Sequence, residues 1–291
     1  MKFIDLDECV IDALNLFSKT KLPQLKHSFK RPLVVGSGNA AVTGKIIMHD
    51  KDAIFADESN FEEKLKTIKE IDGCLLLSAS GGKHAPIIAK AVKKKRLKVI
   101  LITNNEKAPA KEIADETLVL PKNTEPYTYN TSTYLGMILA KTKENPKTIQ
   151  KHIESIKDSI PNLKKYKAYY IILPENLQLM RDMFLTKFDE LFGGRIAGRC
   201  WSYETTKHAK TVVPYDKELF ISFGHDNQEF GINRLNIPLP KNASYATLMA
   251  IGYYVIGQIQ KENPQYYKDN IVEFTKKASK LFCKTIKPIV K

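Results

Sequence analysis

Five short apolar runs fall between residues 33 and 120 of this 291-residue chain, at 33–35, 53–56, 73–77, 99–102 and 117–120. Amphipathic stretches predicted as helices lie between them, after the first run to about residue 48, then at 61–71 and 86–95. β-branched and leucine-rich runs that alternate with helices cannot close as hairpins. They predict strands buried on both faces of a parallel, doubly wound sheet.

A helical stretch at 146–160 reads as a bridge, and a second α/β pattern follows. Strands are predicted at 169–173 and 219–223, with a helix at 175–192 between them. Residues 235–239 read as an edge strand, since Pro238 suits an edge. Helices at 244–260 and 264–282 close the chain. The expectation is two tandem α/β subdomains, about 1–160 and 161–291.

With 43% hydrophobic residues the chain can bury two cores, yet no run approaches the roughly 18 apolar residues of a membrane span. The amino terminus carries Asp5, Asp7 and Glu8 where a secretory signal would carry bases. The four cysteines, Cys9, Cys74, Cys200 and Cys283, have no metal-ligand spacing and read as buried reduced thiols. A cytoplasmic protein with neither membrane nor metal is expected. The net charge of +14 is spread over scattered lysines, without the aromatic-basic clusters of a nucleic-acid binder. It suits small anions better, because a positive field draws them in.

Two glycine-serine loops each follow a strand and open a helix. Gly36-Ser37-Gly38-Asn39-Ala40-Ala41 fits G-x-G-x-x-A, and Asp57 stands about 20 residues on, where a dinucleotide's ribose would bind. A nicotinamide or flavin enzyme is therefore one reading, and a tight helix–strand turn another. Ser78-Ala79-Ser80-Gly81-Gly82-Lys83-His84 combines hydroxyls, bare backbone and an ammonium, which suits a phosphate monoester. It lacks the first glycine and the Lys-Ser/Thr ending of a Walker loop, and a helix-capping turn is its plainer reading.

Together these loops resemble the paired loops of the sugar isomerase (SIS) superfamily. The resemblance implies that Ser78, Ser80, the backbone of Gly81 and Lys83 hold a sugar phosphate, with Ser37 and Asn39 assisting from the first loop. Lys83 stands where the family usually has threonine. The segment 124–133 is similar to the family's E-x-x-x-x-S-T stretch, which would place Ser132 near the sugar; a polar helix cap reads equally well.

Lys187 and Glu190 lie three apart beside the apolar stripe of the 175–192 helix, so they share one face. A surface ion pair is the simpler account. K-x-x-E followed by Glu204, Lys207 and His208 resembles the isomerase domain of glucosamine-6-phosphate synthase, with a gap longer by two residues. That resemblance makes Glu190 the base, Lys187 its electrostatic partner and His208 the ring-opening acid/base given by a neighbouring subunit. It implies a homodimer, a cofactor-free isomerase of hexose or aminosugar phosphates, and an active site between the subdomains. The related archaeal phosphoglucose/phosphomannose isomerases use an arginine after the fifth strand, where this chain has Glu125-Pro126-Tyr127. A deaminase or deglycase of phosphorylated aminosugars, a sugar-phosphate sensor without turnover, and the dinucleotide oxidoreductase remain alternatives.

Overall fold

The computed structural model describes residues 3–291; the first two residues of the acidic amino-terminal stretch lie outside it. In chain order, α1 (Leu6–Lys19) precedes β1 (Leu33–Val35), α2 (Asn39–Ile47), β2 (Ile54–Ala56), α3 (Phe61–Thr67), β3 (Cys74–Leu77), α4 (His84–Lys94), β4 (Val99–Thr103) and β5 (Glu116–Val119). The two-residue β6 (Glu125–Pro126), α5 (Thr131–Thr142) and α6 (Pro146–Ile156) follow. Then come β7 (Ala168–Leu173), α7 (Arg181–Phe192), β8 (Ala197–Ser202), α8 (Tyr203–Thr206), β9 (Glu218–Phe223) and β10 (Asn233–Ile237). The chain ends with α9 (Tyr245–Glu262), α10 (Tyr266–Leu281) and the two-residue β11 (Ile289–Val290).

Two compact units form. One comprises Lys19–Lys122 and Thr133–Lys143; the other comprises the residues up to Ser18, Asn123–Ser132 and Glu144–Lys291. The first holds a parallel sheet in the order β2-β1-β3-β4-β5. Its strands β1, β3 and β4 are buried throughout, as their uninterrupted apolar runs require. This is the flavodoxin-like order, in which the winding reverses between β1 and β3. The dinucleotide-binding order, 3-2-1-4-5-6, is a different one.

The second unit holds a parallel sheet in the order β10-β9-β7-β8. Counted within that half, the order is second, first, third, fourth strand from the β8 end, reversed: the first four strands of both sheets wind alike. The tandem doubly wound architecture is thus as expected. Helix α1, Asn123–Ser132 and the chain from Glu144 onward, including α6, form one unit. Helix α9 is buried on nearly every side and captures α1. Leu6 N donates to Gln260 Oε1 at 3.0 Å, and Lys261 pairs with Asp7 at 2.5 Å. A Cβ on Gly257 would stand 2.1 Å from Asp7 N, so only glycine admits this approach.

Three further differences have local causes. The 175–192 helix starts as a 3-10 turn over Glu175–Met180 and becomes α-helical only at Arg181. The edge strand β10 ends at Ile237, before Pro238 rather than across it. Cys9, Cys74 and Cys200 are buried, and burial pushes the Cys74 thiol up to about 12, but Cys283 is exposed, against expectation. Among the described residues no helix is long and apolar enough to cross a membrane.

Candidate functional site

The reversal of winding in the first sheet leaves an opening at the carboxyl ends of β1 and β3, the position where ligands bind open α/β sheets. Both glycine-serine loops leave the sheet there. They open α2 and α4 with the same turn: Gly38 has φ 53° and ψ −126°, and Lys83 has φ 52° and ψ −100°. No side chain caps either helix. Glycine takes that conformation freely, whereas lysine is strained in it.

The second loop is pinned from behind. Thr103 Oγ1 donates to Ala79 O at 3.0 Å, and Asn105 Nδ2 donates to Ser80 O at 2.9 Å. Gly81, at φ 61°, could not carry a side chain, since a Cβ would meet that of Ala108 at 2.3 Å. Ser78 Oγ accepts from Gly81 N at 3.1 Å, and Ser80 Oγ from Gly82 N at 3.3 Å. A hydroxyl oxygen that accepts in this way still has its own proton to give an anion.

In the first loop Ser37 donates to the Glu58 carboxylate. Asn39 is 8% exposed, and its Oδ1 is buried without a hydrogen-bond partner. A buried amide acceptor with no donor suits a hydroxyl-bearing ligand better than a bare anion.

The second unit carries the Lys187–Glu190 pair, on α7. Lys187 is 0% exposed, so the surface ion-pair reading does not hold. Its ammonium donates to Glu190 Oε2 and, at 2.7 Å, to Thr128 O, and it lies 5.6 Å from the ring centre of Tyr253. Burying a charge is costly unless it is paired and hydrogen-bonded, and these contacts satisfy that demand. The Glu190 side chain is 25% exposed. It opens on a cavity of about 640 Å³ whose walls include Thr128, Arg195, Tyr266, Tyr267 and Phe274. Burial raises the pKa of the Tyr267 phenol and of the Tyr127 phenol, with the Glu190 charge adding to both.

The 123–132 segment supports this wall. Glu125 is 5% exposed, and its carboxylate accepts from Thr131 N at 2.7 Å and Ser132 N at 2.6 Å, at the start of α5. Burial raises its pKa, opposed by those hydrogen bonds and by the Lys187 charge.

Neither a family model nor a curated protein matches the sequence. Solved structures do match its fold. Glucosamine-6-phosphate deaminase from Thermotoga maritima is 15% identical, with 90% of this chain and 94% of that one covered at a TM-score of 0.61. The C-terminal domain of glucosamine-fructose-6-phosphate aminotransferase from Francisella tularensis is 11% identical, covering 88% and 94% at 0.60. Tagatose-6-phosphate ketose/aldose isomerase from Escherichia coli is 13% identical, covering 88% and 86% at 0.59. The chain has the tandem SIS fold.

The structure places most of the residues expected at a site in two groups. Ser37, Asn39, Ser78, Ser80, Gly81 and Lys83 gather at the β1/β3 opening. Glu190 lines the cavity, and the fully buried Lys187 stands behind it. Ser132 joins neither: it is fully buried, its Oγ accepts from Asn123 N at 2.9 Å, and it serves as a structural helix start. His208 is exposed and does not line the Glu190 cavity. Helix α7 runs from the carboxyl end of β7 to the amino end of β8, which puts Glu190 at that amino end. His208 follows β8 at its other end, beyond α8. Thr128, Tyr267 and Glu125 were not singled out as site residues by the sequence. The signal for Thr128 is a backbone carbonyl, which residue type does not encode.

Proposed function

We propose that this chain is a sugar-phosphate isomerase that interconverts aldose and ketose forms by proton transfer. The observation that carries the reading is the buried Lys187 ammonium held against Glu190 at the wall of a cavity. In this reading the Ser78–Gly82 turn takes the phosphate through hydroxyl and backbone donors, with Lys83 adding charge. Asn39 Oδ1 accepts from a sugar hydroxyl. Binding energy at the phosphate, remote from the reacting carbons, supplies positioning.

Glu190 removes the proton from the carbon beside the carbonyl and returns it to the neighbouring carbon, through an enediolate. Lys187, buried behind Glu190, orients its carboxylate and balances its charge. Ring opening falls to His208 supplied by a second copy of the chain, because within a copy it does not line the Glu190 cavity. Ser132 takes no part. The three similar structures are named for acting on phosphorylated sugars or aminosugars, which supports the substrate class.

The test is turnover of a panel of hexose and aminosugar phosphates, with product analysis, by wild type and by Glu190→Gln. The expected result is retained binding and a fall in kcat of about 10³-fold. Equal turnover by both proteins would overturn the role of Glu190. Binding without turnover in either supports a sensor. Release of ammonia or a free amine supports the deaminase or deglycase chemistry. Binding of nicotinamide dinucleotides without any sugar phosphate would overturn the substrate class.

A further inference from the structure

The carboxy-terminal strand β11 lies antiparallel against β6, with Ile289 opposite Pro126 and Val290 opposite Glu125. The pairing extends one residue further, where Tyr127 N donates to Pro288 O at 2.8 Å. The Tyr267 phenol donates to Tyr127 O on the same peptide stretch. Its ring packs at 5.0 Å from that of Tyr129, and the Tyr127 ring lies 6.4 Å from that of Phe274. The segment 126–129 is thus gripped from both sides.

Inside that grip Thr128 has φ 75°. A β-branched residue rarely takes this conformation, and it persists only where the surroundings over-determine it. Its consequence is the direction of the Thr128 carbonyl, which accepts from Lys187 Nζ at 2.7 Å. The same ammonium donates to Glu190. Without that carbonyl the buried ammonium would keep Glu190 and the Tyr253 ring as neighbours, and neither would fix the angle at which it meets the carboxylate.

We propose that β11 is a brace that positions the Lys187–Glu190 pair. By pairing with β6 and Tyr127 it holds Thr128 in its left-handed turn and aims the carbonyl that orients Lys187. Pro288, Ile289, Val290 and Tyr267 are positioning residues that act through the Tyr127–Thr128 backbone. A strand added at an edge binds mainly through its backbone, so a severed brace can be supplied in trans. The effect on turnover rests on Glu190 being the base, whereas the effect on Lys187 does not.

The experiment compares the full chain, a chain ending at Lys287, and Tyr267→Phe. The first readout is the ¹⁵N–¹H signal of the Lys187 ammonium, whose buried, hydrogen-bonded protons exchange slowly in the full chain. This signal is expected to vanish in the shortened chain, to weaken in Tyr267→Phe, and to return when a synthetic peptide of residues 284–291 is added. The second readout is sugar-phosphate turnover: kcat should fall roughly 10–100-fold while KM stays within about twofold, as expected for a misplaced catalytic group. An unchanged Lys187 signal in both variants overturns the brace. If the shortened chain does not fold by circular dichroism, Tyr267→Phe decides alone on the same criterion. If the full chain turns over no sugar phosphate, the isomerase reading fails while the ammonium signal still decides the brace.

Discussion

Helices α5 and α9 each start on a protein carboxylate, whereas no side chain caps α2 or α4. Glu125 takes the amides of Thr131 and Ser132, and Glu144 takes those of Ser244, Ala246 and Thr247 at 2.8, 2.9 and 3.1 Å. Every helix start presents unsatisfied donors and a partial positive charge, so each attracts an anion. Where the anion is built in, the start is structural. At the β1/β3 opening the chain instead offers glycine backbone, two serine hydroxyls and a lysine. Helices α3, α7 and α10 also start without a capping side chain, so what sets the α2 and α4 starts apart is their glycine-serine composition, and only under the proposed reading do they hold the phosphate ester.

The comparison breaks most visibly at the second loop. Ser78→Ala combined with Ser80→Ala should weaken sugar-phosphate binding about 100-fold, or about 2.7 kcal/mol, in calorimetric titration, while the melting temperature moves little. At a filled start the pattern inverts. Glu144→Ala should cost about 2 kcal/mol, or a fall in Tm of roughly 4–8 °C, with sugar-phosphate affinity unchanged.

Glu125→Gln sharpens the same point through pH. Burial raises the Glu125 carboxyl, so the group favours the folded state below the ordinary carboxylate range and loses that contribution as pH climbs through its raised value. The stability deficit of Glu125→Gln, measured by denaturant unfolding, should therefore shrink as pH rises above the ordinary carboxylate value of 4.5. The smallest effect is expected at Lys83. Replacing it by glycine relieves a left-handed lysine and should raise stability by about 1 kcal/mol, while weakening sugar-phosphate binding several-fold. Loss of stability in Lys83→Gly would mean that its backbone conformation is not strained.

Much of the first sheet was legible because its strands are continuous apolar runs, and Leu33–Val35, Cys74–Leu77 and Val99–Thr103 carry their burial in their composition. Strand β8 was not, because Ala-Gly-Arg-Cys-Trp-Ser at 197–202 is a half-covered edge strand with no apolar run to mark it. Helix α1 was passed over because its capture by α9 depends on Gly257 and Gln260, some 250 residues away in sequence. The two glycine-serine loops could be placed at strand–helix turns from residue type, since glycine and serine favour such turns. Ser132 misled for the same reason: a serine at a helix start looks alike whether its hydroxyl faces a ligand or Asn123. Lys187 and Glu190 were visible as a spacing, but their burial and the Thr128 carbonyl that orients them come from a backbone conformation that sequence pattern does not record.

The most direct test of the ligand-holding helix starts is a titration of the ¹⁵N-labelled protein with fructose 6-phosphate and, separately, with fructose. The account predicts that the phosphate ester shifts the amide signals of Ser80–Lys83 and Gly38–Ala40, that fructose alone moves them far less, and that Thr131, Ser132, Ala246 and Thr247 stay in place. Shifts confined to the α5 and α9 starts, or none at Gly81 and Gly82, would contradict it.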